Sequence, residues 1–390
     1  MVRTAVRTAI VGAGIGGLAA ALALSRRDLA VELYEQAPEP GEVGAGMHLG
    51  SNGSRLLHRL GLVGELERVA VRPVALEVRD WHDGRVRVRQ PIGASWADSF
   101  GAPYYTVHRA DLHRMLLDRL PPGTVRAGHR LTGFTAGNDV VRLDFAGHAA
   151  TEADVLVGAD GVHSVVRATL HGGPGTPVLT DTVAMRGVLP HEAVPGLPND
   201  TLLVWSGPTA RLLCAPVRAG RQIAYVAILP ATRRDRESWS AVGDPADLRA
   251  AFADWCPDVR SLAAAVDGTH RWTLHDREPL ASWGTGRVTL LGDAAHPMLP
   301  HHGQGANQAV EDGVALAHCL AGAGGPGRAV PALRHYERLR RPHTTRVQLG
   351  ARDGGSGRLA GPGAGGSVRG LVEDVSWVQR YDIEAELQRS

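Results

Sequence analysis

Three glycine-centred turns, each following a short apolar run, lie far apart along this chain: Gly12-Ala-Gly-Ile-Gly-Gly17, Gly158-Ala-Asp-Gly-Val-His-Ser-Val-Val-Arg167, and the long stretch from Leu290 to Gly313. Each has the residues of a phosphate- or ribose-handling turn. Segments so distant act together only if the fold brings them onto one large nucleotide, and that convergence limits the architecture more than any single motif does.

The first turn has a physical reading residue by residue. Arg7-Thr-Ala-Ile-Val11 is apolar and β-branched enough for a buried strand, and Ile15 to Arg27 has the Ala/Leu composition of a helix. Gly12 makes the tight turn, Gly14 lets backbone approach a pyrophosphate, and Gly17 allows helix and strand to pack closely. The helix start then offers N–H groups and a favourable dipole to phosphate. A second strand, Ala30-Val-Glu-Leu-Tyr-Glu35, ends in an acid about 20 residues on, where a carboxylate accepts ribose hydroxyls.

That turn alone does not separate NAD from FAD; the other two favour FAD. Ala153-Asp-Val-Leu-Val157 runs into Gly158-Ala-Asp160-Gly161, then a helix start with Ser164 and Arg167. Arg287-Val-Thr-Leu-Leu291 runs into Gly292-Asp293, placing Asp293 for a ribityl chain or phosphates. Pro300, His301, His302, Gly303, Gln304 and Gly305 then open a helix reaching about Gly322, whose positive end would stabilise negative charge on a reduced flavin. NAD needs no such third site.

These residues resemble the class A FAD-dependent aromatic hydroxylases, with the p-hydroxybenzoate hydroxylase fold, over most of the chain. The finer likeness is to the salicylate, 3-hydroxybenzoate and 6-hydroxynicotinate hydroxylase subgroup. It rests on Gly44-Ala-Gly-Met-His-Leu-Gly-Ser-Asn52, Val107-His-Arg-Ala-Asp-Leu-His113, Gly292-Asp-Ala-Ala-His-Pro-Met298 and Trp377-Val-Gln-Arg-Tyr-Asp382. The resemblance implies an α/β fold: a Rossmann-like FAD-binding domain, an inserted antiparallel β-sheet substrate domain and a C-terminal helical segment. It also implies non-covalent FAD, NADH or NADPH as transient co-substrate, O2, and a small aromatic substrate oxygenated through a flavin hydroperoxide, with or without loss of a ring carboxylate. Arg109 should reach the ribityl–pyrophosphate part of FAD; the alternative is an ion pair with Asp111 at a helix start. The groove around Asp160 and Arg167 is expected to serve both FAD and the nicotinamide. Two other classes stay open, a flavin oxidase or dehydrogenase on the same scaffold and a non-catalytic dinucleotide-binding protein. The Trp-x-Trp-x-Ile-Pro segment of related halogenases is absent from the sequence.

Composition sets outer limits. At 390 residues the chain exceeds one ordinary domain, and a net charge of +2 with scattered arginines argues against nucleic acid. Cys214, Cys256 and Cys319 lack metal-ligand spacing and read as reduced core thiols. With no apolar run near about 18 residues and a strand starting almost at once, we expect neither membrane span nor signal peptide, and a cytoplasmic monomer or homodimer.

The cofactor segments divide the chain. Residues 1–72, 101–175 and 280–325 are expected to form the FAD-binding domain, 73–100 and 176–279 the substrate domain, and 326–390 C-terminal helices with a mobile Gly-rich loop at 350–370. Ala75–Trp81 and Arg85–Arg89 read as a hairpin across Asp83-Gly84; Val183–Val188, Thr201–Trp205, Arg211–Ala215 and Gln222–Leu229 read as antiparallel strands. Substrate should lie between that sheet and the flavin.

Ring hydroxylation wants a deprotonated phenol, hence a base working near pH 7, which favours histidine among the 18 present. His48 and His301 are the candidates, as their positions match histidines of the 6-hydroxynicotinate subgroup. His302 is a further substrate contact, and His296 is expected only to shape a turn. Arg211 and Ala215 stand where, in an ungapped comparison, that subgroup carries a His and a Tyr. Arg211 is either a carboxylate ligand or an exposed sheet residue. Tyr225 is expected at the substrate, and Tyr104, Tyr105, Trp205 and Met298 either line the pocket or belong to the core.

Overall fold

In the computed structural model, which describes residues 6–41, 45–173, 175, 178–231, 241–356 and 376–389, the three glycine turns meet because their strands are neighbours. A five-stranded, all-parallel sheet has the order Val288–Leu290, Val155–Gly158, Arg7–Val11, Ala30–Tyr34, Val125–Arg126. Parallel strands end on the same side, so Gly12, Ala159 and Leu291 emerge next to one another at the carboxyl edge, where open α/β sheets bind ligands. Gly12 has φ +106°, and a Cβ there would stand 2.4 Å from the Ala159 carbonyl oxygen. Only glycine lets the first two turns approach so closely.

The helix Ile15–Ser25 lies against the helix Gly305–Ala321, with Ala309 Cβ 2.9 Å from where a Cβ on Gly16 would be. The main core joins these helices to the parallel sheet through Ile10, Leu18, Leu24, Leu156, Leu290 and Val314. A meander of Leu131–Ala136, Val141–Phe145 and His148–Ala153 flanks it.

The second large element is an eight-stranded sheet in the order Ala241–Gly243, Thr269–Asp276, Val178–Pro190, Gln222–Pro230, Arg211–Val217, Thr201–Ser206, Ala75–Asp80, Val86–Pro91. The Ala75–Asp80/Val86–Pro91 hairpin expected from sequence is its edge. It joins by a parallel pairing of Ala75–Asp80 with Thr201–Ser206, the one parallel joint in an otherwise antiparallel sheet. One face is covered by the helices Pro245–Ala251 and Pro257–Ala265, packing Leu248, Val259 and Leu262 with Trp205 and Tyr225. The other face turns toward the parallel-sheet half of the molecule. A ribbon of Gly46–Leu49 and Tyr105–His108 links the halves. Gly46 lies so near the large sheet that an added Cβ would come 2.3 Å from Ala224 Cβ.

The C-terminal part departs from expectation at one place. Helix Ala329–Ser356 continues through Gly350 rather than giving way to a loop there, while residues 357–370 of the expected mobile tract lie outside the described residues. Intrahelical bonding and tertiary packing of Val347, Gln348 and Ala351, each at most 1% exposed, override the low helix propensity of the glycine. Cys214, Cys256 and Cys319 are buried thiols. No helix among the described residues is long and apolar enough to cross a membrane.

Candidate active site

The carboxyl edge of the parallel sheet and the open face of the large sheet enclose a cavity of about 380 Å³, a volume ordinary for a small-molecule site. Its wall toward the parallel sheet includes Gly14, Arg109, Gly161, Gly292 and Asp293, and continues to Pro300, Gly303 and Gly305. The helix starts at Ile15 and Gly305 both reach it. Neither has a side-chain cap or an acid in its first turn, so two sets of backbone N–H groups and two positive dipole ends are directed at an anionic ligand. A Cβ on Gly14 or Gly161 would meet nothing within 4 Å. Open backbone, two uncapped helix starts and Arg109 suit a pyrophosphate-bearing cofactor.

Other residues singled out in the sequence support this wall from behind. Gly17 would place a Cβ 2.0 Å from the Gly12 carbonyl oxygen, a packing role. Glu35 accepts from Ala13 N and Ala37 N, each at 2.8 Å, which locks the first turn and leaves further carboxylate lone pairs. Asp160 accepts from Ser164 Oγ, Val165 N and Val166 N, capping the helix Val165–His171; burial raises its pKa against those bonds. Arg167 is turned inward and 4% exposed, donating to the carbonyls of Asp293, Ala294 and Val162. It ties the second turn to the third instead of lining an open groove. Asp111 is held by Arg218, at 3.1 and 3.2 Å.

The opposite wall belongs to the large sheet. Period-2 alternation puts Arg211, Leu213 and Ala215 on the cavity side, with Ala224, Val226 and Ile228 of the neighbouring strand. By the same alternation Tyr225 points the other way, into the core beneath the covering helices, 1% exposed and with its hydroxyl toward Gly268 O. The expectation that Tyr225 meets substrate is therefore corrected: side chains on one strand go to opposite faces, and Tyr225 is one residue out of step. Tyr105 and Trp205 are likewise core residues, whereas Tyr104 and Met298 line the cavity.

Arg211 stands out electrostatically. Its Nε is buried with no hydrogen-bond partner among the described residues, and burial lowers its pKa. A desolvated guanidinium without a counter-ion is costly unless a ligand supplies one.

His48, His301 and His302 all line the cavity. Burial drives the pKa of His48 down to about 4. Burial, then Arg211, then His302 bring His301 to about 4. Both imidazoles are thus neutral at pH 7, able to accept a proton but weaker bases than the near-neutral one expected. His48 Nδ1 lies 2.9 Å from the Tyr104 hydroxyl. His296 lies off the cavity, its Nε2 2.6 Å from Asp312 Oδ2, where it joins the second layer rather than only shaping a turn.

Sequence reasoning passed over that second layer. Asn307, fully buried, donates to the carbonyls of His48 (3.1 Å) and Gly303 (3.0 Å) and accepts from Gly50 N (3.0 Å). It clamps the ribbon to the turn carrying His301. Gln379 accepts from Ser51 N at 2.7 Å. The available signal was Asn307's place two residues after Gly305, but a polar residue early in a helix reads equally as solvent-facing.

Residues 5–350 match the FAD binding domain family. The chain is 44% identical over 351 residues to a 3-amino-4-hydroxybenzoate 2-monooxygenase, PtnB3, of Streptomyces platensis, covering 90% of this chain and 87% of that protein. It is 38% identical over 383 residues to a 6-hydroxynicotinate 3-monooxygenase of Bordetella bronchiseptica, covering 97% and 96%. The fold superposes on Klebsiella pneumoniae HpxO complexed with FAD and uric acid with a TM-score of 0.82 at 29% identity, covering 98% and 95% of the two chains.

Proposed function

The chain belongs to the FAD binding domain family and is an FAD-dependent aromatic monooxygenase, and on that premise we propose that its substrate is an amino- or hydroxy-substituted benzoate anchored by its carboxylate on Arg211. The observation that carries this reading is the buried, unpartnered Nε of Arg211 on the cavity wall. A guanidinium matches a carboxylate in two parallel hydrogen bonds, and the relative at 44% identity is named for an aminohydroxybenzoate.

Bound FAD supplies acceptance of electrons from NADH or NADPH and activation of O2. The chain's own residues do the rest. Leu213, Val226 and Ile228 exclude water from the ring. Arg211 fixes the ring's orientation through the carboxylate. His301 sits in the field of Arg211, so a substrate carboxylate that neutralises that cation also raises the basicity of His301 on binding. His48 and His301 are the groups proposed to take the proton from the ring hydroxyl. On the cofactor side, Gly12, Gly14, Gly161, Arg109, Gly292, Asp293, Gly303 and Gly305 are proposed to hold FAD, with Glu35 toward ribose.

The test is a panel of aminohydroxybenzoates, hydroxybenzoates, 6-hydroxynicotinate and 2-aminophenol, read as stimulated NAD(P)H oxidation with product mass. Expected is a gain of one oxygen for an aminohydroxybenzoate and weak use of 2-aminophenol, which lacks the carboxylate. Arg211→Ala should raise the KM for the acid by about 10–100-fold, the worth of a charge-assisted pair, and leave 2-aminophenol almost unaffected. No turnover of any acid, or an unchanged acid preference in Arg211→Ala, overturns the reading.

A further inference from the structure

We propose that Tyr104 is the positioning residue for His48, and that the small side chain at Ala215 is what allows it to be one. The backbone of His48 is held on two sides. It pairs with Thr106 in the ribbon, and its carbonyl accepts from Asn307 Nδ2. Gly303 closes the third side, an added Cβ there falling 3.4 Å from His48 Cβ. The imidazole itself has one polar partner among the described residues, the Tyr104 hydroxyl 2.9 Å from Nδ1. The two rings meet edge-on, centroids 6.0 Å apart at 65°.

Tyr104 is in turn fixed by what surrounds its ring. Trp96 meets it in a T-shaped contact at 6.1 Å and 88°, and the Trp96 indole is tethered by donation to Ser51 Oγ at 3.0 Å. The ring packs against the cluster of Ile92, Trp96, Leu202 and Ala215. Ala215 also lines the cavity, so a larger side chain there would compete with Tyr104 for the space beside this cluster. A neutral imidazole offers one donor and one acceptor nitrogen. Engaging Nδ1 therefore fixes ring orientation and leaves Nε2 as the nitrogen that meets a ligand, and Nε2 is the one able to take a proton when Nδ1–H donates to the Tyr104 oxygen. This inference rests on the reading of His48 as a substrate-facing group, yet the bond it describes exists without substrate.

The experiment uses the FAD-loaded protein, labelled with 15N-histidine, with His48→Gln identifying the His48 signals. Tyr104→Phe is expected to move the His48 Nδ1 resonance and change the balance of its tautomers while FAD content stays normal. Ala215→Tyr should do the same by displacing the phenol, and the double variant should resemble Tyr104→Phe alone, since a broken contact cannot be broken twice. In turnover, Tyr104→Phe should lower product formed per NAD(P)H by about tenfold with little change in substrate KM, less than the 10²–10⁴-fold associated with losing the base itself. Unmoved His48 resonances in Tyr104→Phe overturn the proposal whatever the substrate panel returns. Shifted resonances with no acid turned over uphold it and remove the substrate reading instead.

Discussion

Three side chains on the cavity wall are the ones proposed to act on substrate. Arg211 on its strand, His48 in the ribbon and His301 in the turn before the helix Gly305–Ala321 all line the cavity. Replacing His48 or His301 with Gln should preserve FAD binding and lower coupled hydroxylation by roughly 10²–10⁴-fold. The loss should shrink as pH rises toward the ionisation of the free phenol, because the substrate then arrives deprotonated. Full activity of both variants at neutral pH would show that neither takes the proton. Glu35 has a different test. With one bond to Ala13 N and one to Ala37 N, its remaining lone pairs are proposed to bind ribose. Glu35→Ala should weaken FAD by about 1.5–3 kcal/mol per charged bond lost, measured as the dissociation constant of the apoprotein for FAD. An unchanged constant would leave Glu35 as a brace of the first turn only.

Among elements, the helix Gly305–Ala321 carries the most demands. Its start faces the cavity, its small residues admit the helix Ile15–Ser25, and its second turn holds two buried acids, Glu311 and Asp312. Burial raises the pKa of Glu311 against the pull of Arg340 and Asn52. Burial would do the same to Asp312, but His296 and Arg340 hold it down to about 2. Arg340, wholly buried on helix Ala329–Ser356, binds both: Nη1 to Glu311 at 2.6 Å and Nε to Asp312 at 2.7 Å. The helix Ala329–Ser356 is thereby bonded to the one that presents Asn307 and follows the His301 turn. Arg340→Met removes the cation shared by two buried carboxylates and should cost about 3–5 kcal/mol, read as a lower denaturant midpoint. A loss of stability under about 1 kcal/mol would mean that water or local rearrangement compensates.

At the scale of the molecule, the buried histidines and Asp312 make stability depend on pH in the acid range. His48 and His301 are held to about 4, and His343, by burial and then Arg340, to about 3. An unfolded histidine titrates near 6.5, so below that pH the unfolded chain binds protons that the folded one refuses. The stability these histidines contribute is present in full above about pH 6.5 and is lost as pH falls toward 4 and then 3. Asp312 adds a second window of the same sign, from the unfolded carboxylate value near 4 down to about 2. The melting temperature should therefore fall from pH 7 to pH 4, and more gently in His343→Gln. A melting temperature that is flat or rising over that interval would contradict the burial of these rings.

The sequence by itself determined features that are local or periodic: the strand–turn–helix at Gly12–Gly17, the acid at Glu35, the hairpin from Ala75, the four strands of the large sheet between Val183 and Leu229, and the family with its cofactor, whereas the strands Ala241–Gly243 and Thr269–Asp276 went unread. Such features depend on neighbours within a few residues, through backbone sterics and side-chain alternation. Only the tertiary structure decided which face each strand residue took. One residue of phase sends Tyr225 into the core and Ala224 to the cavity. It also decided that Arg167 braces one turn against another, that Gly350 stays helical, and that Asn307, Tyr104 and Arg340 converge from segments far apart in sequence. Hydrogen bonds across such separations leave no period in a single sequence, because the partner that satisfies a buried polar group is chosen by packing and not by chain order.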